Sequence, residues 1–399
     1  MKGLATIFLA LSATLLAIPP RSALTPLTLD TPFYGATVPS GYAAQPLLDQ
    51  VAAGDASLRG ATGAGTVVAL IDNGVDPFNP ALSAVLLGAQ GWNFYDNSSN
   101  WSAWSDLSPH PDALGSALAQ LEKPGSQCPV WSKKSPLADL TLNGAALPLD
   151  TDADEAGQLL ALMHKIVHCE PTFGHGTAVA GLIHLIAPQA KILPLKAFGP
   201  FGMASAKAVA SAIRYAIAHH ANVINLSFTS IKRDPAIQAA VAAALARGIV
   251  VVAAGGNANS DAPYYPASLP GVLSVGSVDG CAAVAAWLPC ALDPPLLRAG
   301  FSNYDPPAGI LNADIAAPGV RLLTTFPGFG VIWASSTGTS FSAAIVSGEA
   351  ALLAGLGRTR GQIANAIEGT ADPAIPGDAD GSLGHGLIQV LGALRLFDY

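Results

Sequence analysis

The chain of 399 residues is 51% hydrophobic and only 12% charged, a composition that favours a large buried core and disfavours intrinsic disorder. Its net charge of −8 at pH 7 disfavours a nucleic-acid-binding protein, because such proteins present a basic surface. The length suits either one α/β domain with insertions or two small domains.

The N-terminus has the pattern of an export signal. Lys2 precedes an apolar run over residues 4–18, which two prolines end. The run is short for a membrane span and carries its charge in front, so residues 1–23 are predicted to be a signal peptide, with an uncleaved membrane anchor as the alternative. We therefore expect an exported protein, secreted or periplasmic, without membrane contact once the signal is removed. Residues 24–60 are predicted to form an N-terminal extension.

Buried strands and amphipathic helices alternate along the middle of the chain. Residues 66–71 form an apolar, β-branched run, the pattern of a strand buried on both faces. Similar runs occur at residues 190–195, 223–226, 249–253 and 272–275. Apolar residues at every fourth position predict two helices, marked by Val209, Ile213 and Ile217 and by Ile237, Val241 and Leu245. The alternation predicts a doubly wound α/β fold, with a mostly parallel sheet flanked by helices.

A long inserted loop region at about residues 92–171 breaks this alternation. It holds many Ser and Pro residues, an acidic run at 150–155 and four of the six tryptophans (Trp92, Trp101, Trp104 and Trp131). A loop of this length in a compact domain is functional, disordered or a small subdomain, and we favour a disulfide-braced insertion. We interpret its tryptophans as the insertion's own core, a substrate-binding patch being the alternative.

Four cysteines fit an oxidising compartment: Cys128, Cys169, Cys281 and Cys290. Three pairings are possible, and proximity along the chain favours Cys128 with Cys169 and Cys281 with Cys290. Four free buried thiols remain the alternative. None of the cysteines has the C-x-x-C spacing of a metal or redox site.

Three reactive side chains occupy the positions where α/β proteins place their sites. Asp72 directly follows the first predicted strand, whereas His175 and Ser340 each lie where small residues open an apolar helix. Ligands collect at the carboxyl ends of parallel strands and near helix N-termini, so we expect these three side chains to meet.

The three residue types complement one another chemically. A serine hydroxyl is a weak nucleophile until an adjacent imidazole accepts its proton. The imidazole needs a buried carboxylate at its other ring nitrogen, which fixes the tautomer and stabilises the protonated ring. Amides at a helix N-terminus favour an oxyanion that forms beside the nucleophile. The pattern therefore predicts Asp72, His175 and Ser340 as catalytic residues.

With these flanking segments, in the chain order Asp, His, Ser, the sequence resembles the subtilisin-like serine protease family over about residues 61–399. The resemblance implies a peptidase domain at 61–399, serine endopeptidase activity through an acyl-enzyme, and a polypeptide substrate. It also implies that Asn257, in the segment 251–257, is the side-chain donor of the oxyanion hole beside the Ser340 amide.

The resemblance further implies a substrate-binding strand near residues 223–227. The residues expected to line the cleft are Ser227, Phe228, Ala254, Gly255 and Gly256. None of them is charged, so we expect tolerance for an apolar or small side chain before the cut. The chain departs from the family pattern at six positions. Ala344 and Ile345 replace Pro and His, Asn79 and Ala81 replace a common His and Asp, and Phe228 and Thr229 replace Leu and Gly beside the substrate-binding strand.

No cofactor is predicted, although a structural calcium ion is left open. The acidic run at 150–155 has features of a calcium loop, but Glu155 stands where the turn needs glycine, which favours a solvated loop. We expect a monomer that binds no nucleic acid. Two other functions are weighed: a catalytically idle binding protein on this scaffold, and an esterase. No G-x-S-x-G motif surrounds Ser340, which disfavours the esterase.

Overall fold

The structure, a computed structural model, describes residues 30–54, 60–106, 172–280, 296–305, 313–327, 333–373, 375 and 382–397, together with the backbone of 140–142 and 145–149. The predicted signal peptide, all four cysteines and the acidic run at 150–155 lie outside the described residues.

The strands of the described part are β1 (Asp30–Phe33), β2 (Ala36–Pro39), β3 (Val67–Asp72), β4 (Trp92–Asn93), β5 (Leu140–Leu142), β6 (Ala145–Leu149), β7 (Lys191–Lys196), β8 (Met203–Ala204), β9 (Val223–Leu226), β10 (Phe228–Thr229), β11 (Val250–Ala254), β12 (Leu273–Asp279), β13 (Leu297–Arg298), β14 (Ile315–Pro318), β15 (Leu322–Thr325) and β16 (Trp333–Thr337). The helices are α1 (Ser40–Ala43), α2 (Leu47–Gln50), α3 (His175–Ile186), α4 (Ala206–Ala218), α5 (Pro235–Ala246), α6 (Thr339–Gly355), α7 (Arg360–Thr370) and α8 (Val390–Arg395). Two short 3₁₀ turns lie at Gly88–Gln90 and Ala103–Asp106.

The central sheet has the strand order β13-β12-β11-β9-β3-β7-β4, and β14 also pairs with β12. Its pairings are parallel apart from the antiparallel edge strand β13. The predicted doubly wound α/β fold is confirmed, and the five predicted strands lie within about a residue of their expected starts. Because the strands are parallel, β3, β9 and β11 all end at the same edge of the sheet.

Helices cover both faces of this sheet, and alternate residues of β3 show why its sequence is apolar throughout. Val68 and Leu70 belong to the core beneath α3 and α6, whereas Ala69 and Ile71 belong to the core beneath α4 and α5. Successive side chains of a strand point to opposite faces, so a strand between two helical layers has no polar face.

The peripheral helices begin with the expected local caps. Ser205 accepts a hydrogen bond from the amide of Ala208 at the start of α4, and Asp234 accepts two at the start of α5. After α5, Gly248 has φ +78°, the left-handed conformation that terminates a helix. In contrast, α3 and α6 follow the glycines Gly174 and Gly338, whose lack of a side chain leaves their first amides to other partners.

The described N-terminal segment, residues 31–54, is part of the core. Tyr42 is fully buried, and its hydroxyl donates to the carbonyl of Gly181 inside α3 at 2.6 Å. The Gln45 side chain makes two hydrogen bonds to the backbone of Leu323. Its NH₂ group donates to the Leu323 carbonyl at 2.8 Å, and its oxygen accepts from the Leu323 backbone amide at 3.2 Å. These bonds join the segment to both α3 and β15.

The tryptophan interpretation is wrong for the three tryptophans that the structure describes. Trp92 begins β4 of the central sheet, and Trp101 and Trp104 are buried in the main core. The indole N–H of Trp104 donates to Asp76 Oδ1 at 2.9 Å, which satisfies the polar atom of the buried ring. Trp92 lies on the central fold because β4 pairs with β7, and a bridge between Val75 and Ser102 holds the segment of Trp101 and Trp104 there. Trp131 lies outside the described residues.

Candidate active site

The structure brings Asp72 and His175 together at the carboxyl edge of the sheet. Asp72 is the last residue of β3, and His175 is the first residue of α3. The His175 Nδ1 atom lies 2.9 Å from Asp72 Oδ1 and 3.0 Å from Oδ2, and both side chains are only 1% exposed. The carboxylate therefore holds the proton on Nδ1, and Nε2 of the neutral ring is left as a base.

The close approach of α3 to β3 depends on Gly176. A Cβ atom at this position would stand 3.1 Å from Asp72 Oδ1 and would clash with the carbonyl of Gly74. A larger residue would therefore push the start of the helix, and His175 with it, away from the carboxylate.

Asn73, the residue after Asp72, joins the end of β3 to the start of α3 by hydrogen bonds. Its backbone amide donates to Asp72 Oδ1 at 2.8 Å, and its side-chain oxygen accepts from the amide of Gly176 at 3.0 Å. Its backbone carbonyl accepts a 2.6 Å hydrogen bond from the ammonium group of the fully buried Lys196. The residue after the carboxylate thus caps the helix that carries the imidazole.

Ser340 lies in the first turn of α6 and is fully buried. Its Oγ atom donates to the carbonyl of Ser227 at 3.1 Å, while the Ser227 hydroxyl donates to the Ser340 carbonyl at 2.9 Å. The next residue, Phe341, packs against the His175 ring with centroids 5.4 Å apart. The starts of α3 and α6 therefore meet, so that the structure places hydroxyl, imidazole and carboxylate in one region.

A buried polar chain supports Ser227. The hydroxyl of Ser347, two turns along α6, donates to Asn225 Oδ1 at 2.9 Å, and the Asn225 amide donates to the Ser227 hydroxyl at 2.9 Å. All three side chains are fully buried. Because each member has a partner, the chain fixes the wall beside Ser340 instead of weakening the core.

Asn257 lies beside Ser340 and is oriented by Thr339. Its Oδ1 atom accepts from the Thr339 amide at 3.0 Å and from the Thr339 hydroxyl at 2.8 Å. A backbone amide can only donate, so Oδ1 must face Thr339 and the NH₂ group must face away from it. This orientation leaves the NH₂ group as a donor beside Ser340.

The loop after β11, which carries Asn257, is held by Asn303. The amide of this fully buried side chain donates to the Gly255 carbonyl at 3.0 Å, and its oxygen accepts from the amides of Ala258 and Ser260. Gly256 has φ +115°, and a Cβ there would clash with the Asn303 amide. Glycine is therefore required for the loop to close on Asn303.

The five predicted cleft residues all lie in this region, and all five are buried. Phe228 is fully buried, and its ring packs against Phe198 with centroids 5.0 Å apart. Ala254 is likewise buried, in β11. The side chains of these two residues belong to the core, so their contribution to a cleft is through the backbone.

In the part of the chain that the structure describes, no group of three or more His, Cys, Asp or Glu side chains is arranged to hold a metal ion. Asn79 replaces a histidine common in the family, a departure that bears on a calcium ligand. Its side-chain amide is hydrogen-bonded within the protein. Its oxygen accepts from the Ala81 amide at 3.1 Å, and its NH₂ group donates to the Phe326 carbonyl.

Sequence analysis missed the roles of four residues, namely Asn73, Asn225, Asn303 and Thr339. Asn73 and Thr339 are polar neighbours of Asp72 and Ser340, and this adjacency is a usable signal. Asn303 follows no motif named above, and its partners lie more than forty residues away in sequence, so only the tertiary structure identifies it.

The fold and this constellation define a serine hydrolase of the subtilisin type, and comparison with known proteins narrows the class. The profile of the Subtilase family matches residues 63–386. The chain therefore belongs to the subtilase family of serine-type endopeptidases.

Among its relatives, thermitase from Thermoactinomyces vulgaris is 28% identical over 312 residues, which are 78% of this chain and 83% of thermitase. A thermophilic serine proteinase from Bacillus sp. (strain AK1) is 36% identical over 208 residues, 50% of this chain and 47% of that protein. Fervidolysin from Fervidobacterium pennivorans, described as a keratinolytic enzyme related to subtilisin, superposes with a TM-score of 0.62 and 22% identity over 91% of this chain and 46% of its own. At that identity, the structural likeness speaks for the fold alone.

Proposed function

We propose that the protein is an exported endopeptidase in which Asp72, His175 and Ser340 cut peptide bonds through an acyl-enzyme. The observation that carries the proposal is the buried contact between His175 Nδ1 and both oxygens of Asp72, with the His175 ring packed against Phe341, the residue after Ser340. Export rests on the leader pattern of residues 1–23, and the names of the relatives, which include serine proteinases and alkaline proteases, support the reaction class.

The reaction begins at Ser340. Its Oγ atom attacks the carbonyl carbon of the scissile bond while Nε2 of His175 accepts the hydroxyl proton. When the tetrahedral intermediate collapses, the C–N bond breaks and His175 returns the proton to the leaving amine. Water then attacks the ester with His175 again as base, which releases a carboxylic acid and restores the Ser340 hydroxyl. Asp72 orients the imidazole and stabilises its protonated form.

Asn257 and the Ser340 amide stabilise the negative charge that develops on the carbonyl oxygen. The Thr339 contacts fix the Asn257 side chain before substrate binds, so little reorganisation is needed in the transition state. Residues 225–228 and 253–256 offer backbone on which an extended peptide adds as a strand, and within them Phe228 pairs with Leu142 in this structure. The uncharged cleft residues favour apolar or small side chains before the cut.

The proposal is tested by incubating the purified protein and its Ser340→Ala variant with casein and with a fluorophosphonate probe. We expect casein fragments and one covalent adduct on Ser340 for the wild type, and neither for the variant. A correctly folded wild type with an accessible cleft that does neither would be a binding protein on this scaffold. Activity on short-chain esters without casein cleavage would identify an esterase.

A further inference from the structure

Lys196 is a charged residue buried at the carboxyl edge of the central sheet. It ends β7, its side chain is fully buried, and its Nζ atom donates to the backbone carbonyl of Asn73 at 2.6 Å. Burial removes an ammonium group from water, and lysine is almost never fully buried unless it is paired. An apolar side chain at this position would satisfy the fold without that penalty, so the charge next to the proposed catalytic residues points to a functional role.

Lys196 and Asp72 point to the same face of the sheet. The two residues are register partners on the parallel strands β7 and β3, so their side chains project to the same side. Leu70 and Ile192, which lie two and four residues before them, both belong to the core beneath α3 and α6. The ammonium group therefore lies in the layer that holds the Asp72 carboxylate and the His175 ring.

Asn73 connects Lys196 to the carboxylate and to the start of α3, because each of its four polar groups has a partner. Its backbone amide donates to Asp72 Oδ1 at 2.8 Å. Its side-chain oxygen accepts from the Gly176 amide at 3.0 Å, and its NH₂ group donates to the Thr172 carbonyl at 2.5 Å. The fourth group, its backbone carbonyl, is the one that Lys196 holds. Asn73 is therefore fixed from β3, from β7 and from the start of α3.

We propose that Lys196 is a positioning residue for the hydrolysis, which holds the Asn73 backbone and through it sets the Asp72 carboxylate against His175. The inference rests on the proposed function, because the proton relay that it supports is the one described there. Asn73 is only 3% exposed, so without Lys196 its carbonyl loses a donor that water does not readily replace. The amide that fixes Asp72 Oδ1 then shifts, and a small displacement of the relay is enough to slow the chemical step.

Lys191, the first residue of the same strand, provides a matched control. Its Nζ atom also donates to a backbone carbonyl, that of Ala84, at 2.8 Å, but its side chain is exposed. The two lysines lie about 16 Å apart along β7, at opposite edges of the sheet. They make the same kind of bond, so a difference between their variants reports where the bond lies and not its chemistry.

The first test compares Lys196→Met, which keeps an unbranched side chain and removes its donor, with Lys191→Met. Initial rates on a peptide substrate are measured for both variants and for wild type. We expect kcat of Lys196→Met to fall by about 10- to 100-fold with KM within about twofold, because the bonds that change lie at Asp72 and the start of α3. Lys191→Met should keep both constants. Wild-type kcat in Lys196→Met, or a rise in KM at constant kcat, would overturn the inference.

Two further variants separate the donor from the fold. Lys196→Gln is neutral and one atom shorter, so it should show the same loss as Lys196→Met. Lys196→Arg keeps a charged donor, and we expect its kcat to recover to within about fivefold of wild type. Urea unfolding in the Ser340→Ala background shows which of the variants are folded. A folded Lys196→Arg protein that is as slow as Lys196→Met would overturn the inference.

The second test observes the contact between His175 and Asp72 directly. An imidazole N–H that donates to a carboxylate gives a proton NMR resonance far downfield, and its loss in His175→Ala assigns it here. All proteins carry Ser340→Ala. We expect the resonance to be sharp in the parent and in Lys191→Met, and to be shifted upfield or lost in Lys196→Met. An unchanged resonance in Lys196→Met would show that Lys196 does not act through this contact, and the inference would fail.

Failure of this inference is distinguishable from failure of the proposed function. If wild type neither cuts the peptide nor reacts with fluorophosphonate, the proposed function fails and the role of Lys196 fails with it. If wild type does both, and Lys196→Met is as fast as Lys191→Met, only the role of Lys196 fails, and its buried ammonium group serves the fold alone.

Discussion

Helices α3 and α6 each carry one buried polar group at their start and another nine residues further on, and the two ends differ in kind. His175 and Ser340, at the starts, have partners at the carboxyl edge of the sheet. His184 and Glu349, about 13 Å along the helices, are buried without a hydrogen-bond partner among the described residues. Strand ends bring polar groups to the first pair, whereas the second pair lies in the apolar core.

Burial changes the protonation of the second pair, His184 and Glu349. Burial lowers the pKa of His184 to about 4 and raises the pKa of Glu349 to about 8, so both groups are neutral at pH 7. The His184 ring lies edge-on to Phe33 with centroids 5.2 Å apart, a contact with an apolar surface. The comparison teaches that polar groups at the starts of these helices find partners at the sheet edge, whereas His184 and Glu349 are buried without hydrogen-bond partners among the described residues, at a cost in stability.

Removing the partner of His175 is expected to have the largest effect. Asp72→Asn keeps the size of the side chain but no longer stabilises the protonated imidazole, and it favours the wrong tautomer. We expect kcat to fall by about 10⁴, with KM little changed, because this replacement has that effect in a Ser-His-Asp triad. Initial rates on a peptide substrate measure it. Asp261→Asn, at an exposed aspartate, is the control. Equal rates for wild type and Asp72→Asn would remove Asp72 from the mechanism.

Asn257→Leu removes the oxyanion donor while it keeps the shape of the side chain. We expect kcat to fall by about 10²–10³ with a nearly constant KM, because the lost hydrogen bond forms in the transition state. A rise in KM at constant kcat for Asn257→Leu would indicate a binding role instead.

Thr339→Val removes the hydroxyl that holds Asn257 but leaves the hydrogen bond from the Thr339 backbone amide. We therefore expect a smaller loss of about tenfold in kcat, measured on the same peptide substrate.

The secondary structure around the site could be predicted from sequence because its causes are local. β3 is apolar on both faces, and Gly248 terminates α5 at the predicted residue. The first residue of α3 and the first turn of α6 also lie where the small residues indicated. These features depend on neighbours within one turn or one strand.

The rest depended on contacts between distant segments. Thr339 orients Asn257 across 82 positions of the chain, and periodicity carries no signal for such a bond. The short strand β5 has three residues, too few for an alternating pattern, so its position between β8 and β10 was not predictable. Glu349 lies within α6, and an isolated glutamate in a helix is ordinarily predicted to face solvent.

Glu349→Leu is expected to stabilise the protein, and the gain should grow with pH. The folded-state pKa of about 8 exceeds the ordinary value of 4.5, so the unfolded chain releases its proton first. Stability is therefore full below pH 4.5 and is lost as pH rises toward 8, by roughly 4–5 kcal/mol in total. Urea unfolding in the Ser340→Ala background, which prevents self-digestion, should show that the stability difference between Glu349→Leu and its parent grows across this window. A parallel pH slope in both proteins would show that Glu349 ionises freely in the fold.

His184→Leu tests the opposite slope with a smaller effect. The folded-state pKa of about 4 lies below the ordinary value of 6.5, so the unfolded chain binds its proton first as pH falls. Stability is full above pH 6.5 and is lost as pH drops toward 4, by roughly 3 kcal/mol. Replacing the imidazole with an apolar side chain of similar size should remove that loss in urea unfolding at pH 4.5 and 7, again in the Ser340→Ala background. His220→Asn, at an exposed histidine in a left-handed conformation that asparagine tolerates, should keep the wild-type slope. If His184→Leu loses as much stability on acidification as the control, the acid sensitivity arises elsewhere, and the contrast with His175 is one of geometry alone.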